Sequence, residues 1–382
     1  MSRNSAFILA VCVASLVCLG IVMLYSTSAY VHDQHNDAYY YIKRQVVYLG
    51  IGAIGCIVAT FINYHLWAKL WLPMFCGAVV LLALCFVPHI GMKINGSPRW
   101  IHLGPAVFQP SELGKFACIV ALAWWFTKYE AKSSKFLYGF VLPALLIAVP
   151  MALVLLEHDL GTTALMGATA VTMMFLAGGN VFYMSGAVVA GLAGILYKAM
   201  HIGERKARLM AFLDLEAHKD ASGYQQLEGL KALGSGGLFG RGLGESIEKM
   251  LYLPYAHTDF IFPIIGEELG LRGTLLVVCA FLALTLSGIV IALQSRDRFG
   301  MLLGFGMVMN IGLQACVNIG MTTALLPNKG MPLPFISYGG SNLCLCLLFT
   351  GVLLNIYRRG QLAETSKVTQ AAGLQARVTP RI

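Results

Sequence analysis

Residues 271–293 read LRGTLLVVCAFLALTLSGIVIAL, a run in which only Arg272 is charged. A helix needs about 20 predominantly apolar residues to cross the hydrocarbon core of a bilayer, so this run is long enough to span one. The whole chain has the same character: 58% of its 382 residues are hydrophobic, 12% are charged, and the mean hydropathy is +0.72. This composition excludes a soluble globular protein and predicts a multi-pass membrane protein.

Similar apolar runs recur along the chain and predict an all-α integral membrane protein with about ten transmembrane helices. An even number of spans places both termini on one side, and the short loops on that side carry more Lys and Arg than those opposite. The positive-inside rule therefore places both termini in the cytoplasm and one large loop, at about 201–270 between spans seven and eight, outside. The predicted spans are 7–25, 45–63, 70–88, 112–127, 137–156, 160–177, 181–200, 271–293, 300–325 and 342–357.

Charge and cysteine usage exclude several other classes of protein. The large outer loop holds seven Lys and Arg against ten Asp and Glu, so the net charge of +9 resides elsewhere, on the cytoplasmic loops and tail. Anionic lipid explains such an excess, and no nucleic-acid partner is expected. All ten cysteines lie in apolar runs, which argues against a disulfide framework or a zinc site. We expect one membrane domain over 1–360 and a polar, disordered cytoplasmic tail over 361–382.

The large outer loop is the first place to look for function, because a carboxylate where lipid meets water is costly unless it is used. Near its end, His257 and Thr258 precede Asp259, which borders an apolar run. Asp259 could cap the helix that follows, a common role for Asp at such a junction. Partial desolvation would instead raise its pKa towards the working range of a general base. The residues alone leave both roles open.

Charged residues also occur at the start of the fourth span. Glu112 and Lys115 are three residues apart, so they share a helix face and can pair. They are either an interfacial ion pair or a pair that lines a polar cavity opening outward. In the tight turn between spans five and six, Asp159 is well placed to cap the next helix. Its neighbours Glu157 and His158 leave a metal or phosphate role open as well.

The glycine-rich segment 234–244 superficially resembles a nucleotide-binding loop. It lacks the Gly-Lys-Ser/Thr ending of a phosphate loop, and no strand is predicted before it. A flexible loop at the membrane interface explains it better. Its amides, with Arg241 and Lys249, could meet an anionic headgroup or a pyrophosphate.

Five collinear blocks resemble the SEDS family (shape, elongation, division and sporulation) of peptidoglycan glycosyltransferases. The resemblance implies ten helices, an outward-open cavity, and polymerisation of lipid II into glycan strands at the outer face of the bacterial cytoplasmic (inner) membrane. It also implies a class B penicillin-binding protein transpeptidase as partner, beside other divisome membrane proteins, and residues 326–330 favour the division branch and hence the septum. The blocks are Pro98–Ile101 with Phe108–Lys115, Asp159–Thr162, Gly234–Gly240, Ala256–Phe262 with Ile265–Gly270, and Pro332–Ser341.

The resemblance implies that Asp259 is the essential catalytic carboxylate, and a bound divalent cation could help to hold the pyrophosphate. The chain departs from the family pattern in three places, with Glu157-His158 for Gln-Pro, Tyr255 for Glu, and Asn342 for Ser. The candidate substrate-binding residues are Glu112, Lys115, Arg99, Arg241, Asp159, His257, Lys329 and Ser341.

Two other functions remain in view. A lipid II flippase or transporter also suits ten helices with intramembrane charges. The chain could also be a non-enzymatic scaffold that recruits a transpeptidase. The charges gather at the outer face, and spans two, three and eight to ten are nearly free of them. This distribution favours chemistry at one surface over passage through the membrane.

Overall fold

A computed structural model describes residues 3–28, 39–94, 97–103, 106–201, 203–218, 222–250 and 252–378. The chain forms thirteen α-helices and one small three-stranded sheet in these ranges. The helices are α1 Arg3–Ser28, α2 Tyr40–Phe61, α3 His65–Lys69, α4 Trp71–Leu84, α5 Pro110–Lys128, α6 Leu142–Leu156, α7 Leu160–Leu176, α8 Val181–His201, α9 Gly203–Leu213, α10 Tyr224–Ser235, α11 Ile261–Leu293, α12 Arg298–Thr322 and α13 Gly340–Val378.

The all-α membrane fold predicted from the sequence is confirmed. Within the described ranges, seven helices are long and apolar enough to cross a membrane, and α4 and α7 are shorter apolar helices. Every predicted span coincides with a helix: α1, α2, α4, α5, α6, α7, α8, α11, α12 and α13 in order. The ten crossings themselves stay a prediction. α12 and α13 are the most buried of the long apolar helices, so the core of the bundle lies around them.

Helix α11 begins ten residues before the predicted span, because a helical segment precedes a kink at Gly270. Gly270 has φ 71° and ψ −168°, a conformation that favours glycine. A Cβ atom there would also lie 2.3 Å from the backbone nitrogen of Gly240, so the kink lets the glycine-rich segment approach closely.

Helix α13 continues to Val378, whereas the sequence predicts a disordered tail after Gln361. The segment 362–378 contains Ala, Leu, Gln, Glu and Arg, all good helix formers, so it can extend the helix that precedes it. Residues 379–382 lie outside the described residues.

The loop between α4 and α5 forms a three-stranded antiparallel sheet that the sequence analysis does not predict. Its strands are β1 Gly91–Ile94, β2 Ser97–Leu103 and β3 Ala106–Phe108. The hydroxyl of Tyr48 on α2 lies 3.3 Å from both the nitrogen and the oxygen of Val107. This contact fixes the sheet to the helices, and β2 carries Arg99 towards the turn that contains Asp159.

Candidate active site

Asp259 lies in the turn immediately before α11. The N-cap position of that helix is Phe260, without a side-chain capping bond, so the capping role is not the one seen. The side chain is half-buried beneath the 328–331 segment, where a Cβ atom on Gly330 would lie 2.8 Å from Asp259 Oδ2. Burial, and then the nearby Asp159 charge, raise the pKa of Asp259 to about 7, against the opposing effect of Arg99 and Arg208. This pKa suits a general base at neutral pH.

The backbone around Asp259 is fastened by the segment that leads into α13. Ser337 Oγ donates to the Thr258 oxygen at 2.5 Å, and the Tyr338 nitrogen donates to the His257 oxygen at 3.0 Å. From α12, the Asn318 amide donates to the oxygens of Asp259, at 2.9 Å, and Met331, at 2.6 Å. The candidate base is therefore held from two sides although it lies in a loop.

Asp159 and Arg99 form a second charged group of the site. Asp159 caps α7, accepting from the nitrogen and the hydroxyl of Thr162, each at 3.0 Å. Arg99 Nη1 lies 3.7 Å from Asp159 Oδ2, and the same guanidinium donates to the backbone oxygens of His158, at 2.9 Å, and Glu157, at 3.3 Å. Arg99 thus joins the sheet to the turn before α7. Its charge and that of Asp159 both act on Asp259.

Glu157 is a buried acid whose burial the sequence analysis did not foresee. Its side chain is fully buried beside the Cys85 thiol. Burial and the Asp159 charge raise the pKa of Glu157 to about 8, although Cys85 and Arg99 oppose the shift. The carboxyl is therefore largely protonated at neutral pH. The available signal was the departure from Gln at this position of the SEDS pattern.

Glu112 and Lys115 form the predicted pair, with Nζ and Oε2 2.9 Å apart. The two residues are only 4% and 2% exposed, which places the pair inside the helix packing and not at the interface. Lys115 also donates to Gln314 Oε1 at 3.1 Å, and Asn342 donates to Glu112 Oε2 at 3.1 Å. Gln314 in turn donates to the Pro332 oxygen at 2.9 Å, so the pair connects to the segment that fastens Asp259.

Arg241 and Lys249 anchor the glycine-rich segment to the start of α11. Arg241 Nη1 lies 3.6 Å from Glu267 Oε1, and its nitrogen donates to the Glu267 oxygen at 2.9 Å. Lys249 pairs with Glu268 at 2.7 Å, and both side chains are fully buried. Lys249 is thus inaccessible to a lipid headgroup, while the Arg241 side chain remains 37% exposed.

The remaining candidate residues are His257, Ser341 and Lys329. The His257 ring packs 4.5 Å from the Tyr41 ring, and Ser341 Oγ accepts from the Gln109 nitrogen at 3.1 Å. Lys329 is partly exposed and adjacent to the glycine that covers Asp259. Arg208, exposed on α9, was not selected from the sequence, because only the fold brings its charge near Asp259.

No group of three or more His, Cys, Asp or Glu residues arranged to hold a metal ion occurs in the part of the chain that the structure describes.

Comparisons with known proteins find relatives that match most of the chain. The probable peptidoglycan glycosyltransferase FtsW of Geobacter metallireducens is 41% identical, over 94% of this chain and 96% of its own. Stage V sporulation protein E of Bacillus subtilis is 38% identical, over 90% and 94% of the two chains.

Among solved structures, a chain of a peptidoglycan synthase complex that coordinates polymerization and crosslinking matches with a TM-score of 0.75 and 26% identity, over 92% of this chain and 97% of its own. The rod shape determining protein RodA of Thermus thermophilus matches with a TM-score of 0.68 and 28% identity, over 92% and 95%. The family model described as cell cycle protein matches residues 6–361. The chain therefore belongs to the FtsW, RodA and SpoVE family of cell cycle proteins, which is the SEDS family.

Proposed function

We propose that this protein is a peptidoglycan glycosyltransferase that polymerises lipid II during cell division, with Asp259 as its general base. The observation that carries the proposal is the state of the Asp259 carboxyl. It is half-buried, held in a fastened loop, and has a pKa of about 7. At that pKa a large fraction of the groups is deprotonated at neutral pH and can accept a proton.

The reaction joins the acceptor's 4-hydroxyl to the anomeric carbon of the lipid-bearing sugar. Asp259 takes the hydroxyl proton as the oxygen attacks, and the bond from the anomeric carbon to the pyrophosphate oxygen breaks with inversion. The lipid pyrophosphate leaves with the bonding electron pair. Cationic groups near the leaving pyrophosphate lower the barrier by stabilising its developing charge.

Three cationic groups suit the pyrophosphate. Arg99 and Arg208 both act electrostatically on Asp259, so they supply positive charge near the candidate base. The Arg241 side chain retains an exposed fraction. A divalent cation, if bound, would supply the same stabilisation of negative charge. We assign the buried Lys115 a different task, which is to hold the segment over Asp259 through Gln314.

We further propose an outward orientation for the site, in the cytoplasmic membrane at the septum with both termini inside. The loop charges support the orientation. A class B penicillin-binding protein transpeptidase is the proposed partner, supported by the likeness to a synthase complex that couples polymerization to crosslinking. Other divisome membrane proteins are expected around the pair.

The test is polymerisation of purified lipid II by the protein, alone and with its partner. Loss of a general base typically lowers a rate by about 100- to 10,000-fold, so Asp259→Asn should form little polymer while remaining folded. Asp214→Asn is the matched control, since Asp214 lies in the same outer region but is exposed and bonded to Ala217. Near-normal polymerisation by Asp259→Asn would show the mechanism to be wrong. An Asp259→Asn protein that forms no polymer yet moves lipid II between leaflets would favour the transporter.

A further inference from the structure

Three ring side chains from distant parts of the chain meet beside the candidate base. Tyr41 lies on α2, His257 precedes Asp259 by two residues, and Tyr338 precedes α13. The Tyr41 ring lies 4.5 Å from His257 and 4.9 Å from Tyr338, the second contact being edge-on. His257 and Tyr338 are 6.2 Å apart. These three residues, here called the aromatic platform, are each partly exposed, so ring surface remains for a ligand.

The aromatic platform differs from the tyrosines that ordinarily mark a membrane interface. Belt residues are placed by the headgroup level of the membrane, whereas these rings contact one another across three elements. Their positions are also fixed by the backbone. Gln45 Nε2 donates to the Ser337 oxygen at 3.1 Å, the Gly339 nitrogen donates to Gln45 Oε1 at 3.3 Å, and the Tyr338 nitrogen donates to the His257 oxygen at 3.0 Å. Preformed geometry of this kind is typical of a binding site.

The chemistry of the aromatic platform suits a pyranose ring. The apolar C–H face of a sugar packs against aromatic faces, while hydroxyls and ring nitrogens at the edges can bond its polar groups. Tyr40 extends the surface, with its ring 5.3 Å from that of Tyr41, and the Arg44 guanidinium lies 4.9 Å from the Tyr40 centroid. A cation at this border suits an anionic substituent on the sugar.

We propose that the aromatic platform binds the saccharide of the acceptor and holds its hydroxyl against Asp259. The acceptor is favoured over the donor because the platform shares its backbone with the base, through Thr258 and its bond to Ser337. The proposal rests on the proposed function for the identity of the saccharide. It adds a substrate subsite that is separate from the charged group around Arg99.

The test compares the lipid II concentration dependence of polymerisation among three variants. Tyr41→Leu should raise KM roughly tenfold with kcat and its pH profile unchanged, and that change corresponds to about 1.4 kcal/mol of binding. Tyr41→Phe keeps the ring and should remain within about threefold of the wild type, a difference below 0.7 kcal/mol. Tyr39→Leu is the matched control, because Tyr39 is 47% exposed and stacks on Tyr25 outside the platform. Its kinetics should equal those of the wild type.

An unchanged KM for Tyr41→Leu would overturn the proposal and leave the glycosyltransferase function standing. A lowered kcat with a displaced pH profile would also overturn it, since the rings would then serve to position Asp259. A second measurement does not depend on polymerisation: saturation-transfer NMR with a soluble N-acetylglucosamine–N-acetylmuramic acid disaccharide. Saturation transfer to the disaccharide that occurs from the wild type and Tyr39→Leu but is lost from Tyr41→Leu supports the platform even if no polymer forms. Equal transfer from all three proteins refutes it.

Discussion

The buried pair on α5 offers the sharpest test of how the bundle supports the active site. Glu112 and Lys115 lie 2.9 Å apart. At that distance, and at an effective dielectric constant of about 20, their attraction is about 6 kcal/mol, most of which offsets the cost of burying two charges. Lys115→Met would leave the Glu112 carboxylate buried, with the Asn342 amide as its one remaining side-chain partner among the described residues. We expect it to lower the free energy of unfolding by about 3–5 kcal/mol.

The double variant Glu112→Gln with Lys115→Met removes both charges, so it should be more stable than Lys115→Met alone, with a coupling energy of about 0.5–3 kcal/mol. Reversible unfolding in mixed detergent micelles measures all four members of the cycle. The control cycle uses Glu228 and Lys231, which have the same spacing and a 2.7 Å contact but an exposed lysine, and it should show no measurable coupling. Equal stability of Lys115→Met and the double variant would refute the assignment of a structural charge pair.

Three further predictions follow from the outer site. Polymerisation should rise as the pH rises through about 7, since Asp259 must lose its proton. Arg99→Gln should move the midpoint of this pH profile to higher pH, and Asp159→Asn should move it to lower pH. Midpoint shifts of the same sign in both variants would contradict the electrostatic account. Folding raises the pKa of Glu157 from an ordinary value of 4.5 to about 8. Between these pH values the unfolded chain loses the Glu157 proton while the folded protein keeps it, so the free energy of unfolding falls as the pH rises. Glu157→Gln should therefore stabilise the protein more at pH 8 than at pH 4, which chemical denaturation can measure. An equal change in stability at the two pH values would contradict this prediction. The proposed topology places the 201–270 loop outside, so a cysteine at Ser222 should react with an impermeant thiol reagent in intact cells. Labelling only after lysis would reverse the topology.

The helices of the bundle were predictable because a long apolar run in a bilayer must satisfy its own backbone hydrogen bonds, which a helix does. The elements between these apolar helices were not predictable from the sequence. The sheet at 91–108 and helices α9 and α10 are short and mixed in composition, so local sequence does not distinguish them from loop. The start of α11 was misplaced for a related reason: Gly270 interrupts the apolar pattern, although the chain is helical on both sides of it.

The residues of the candidate site were also only partly predictable from the sequence. Asp259 and the pair on α5 could be selected from the sequence because charges beside apolar runs are conspicuous. Their partners could not be, since the Asn318 and Gln314 contacts join elements far apart in the chain. Lys249 illustrates the limit: from the sequence, a lysine close to a glycine-rich segment is a candidate for ligand binding, but the fold buries it against Glu268.

The polar face of α12 has a consequence for how this site can be controlled. Asn310, Gln314 and Asn318 follow one another at four-residue spacing, about 6 Å per step, and bond in turn to Thr169, Lys115 and the backbone of Asp259. Turning the helix by one residue rotates this face by about 100° and separates all three contacts together. The contacts that hold the backbone of Asp259 therefore depend on the position and rotation of α12 in the bundle. A neighbour that changes the packing of α12 would change catalysis without contacting Asp259.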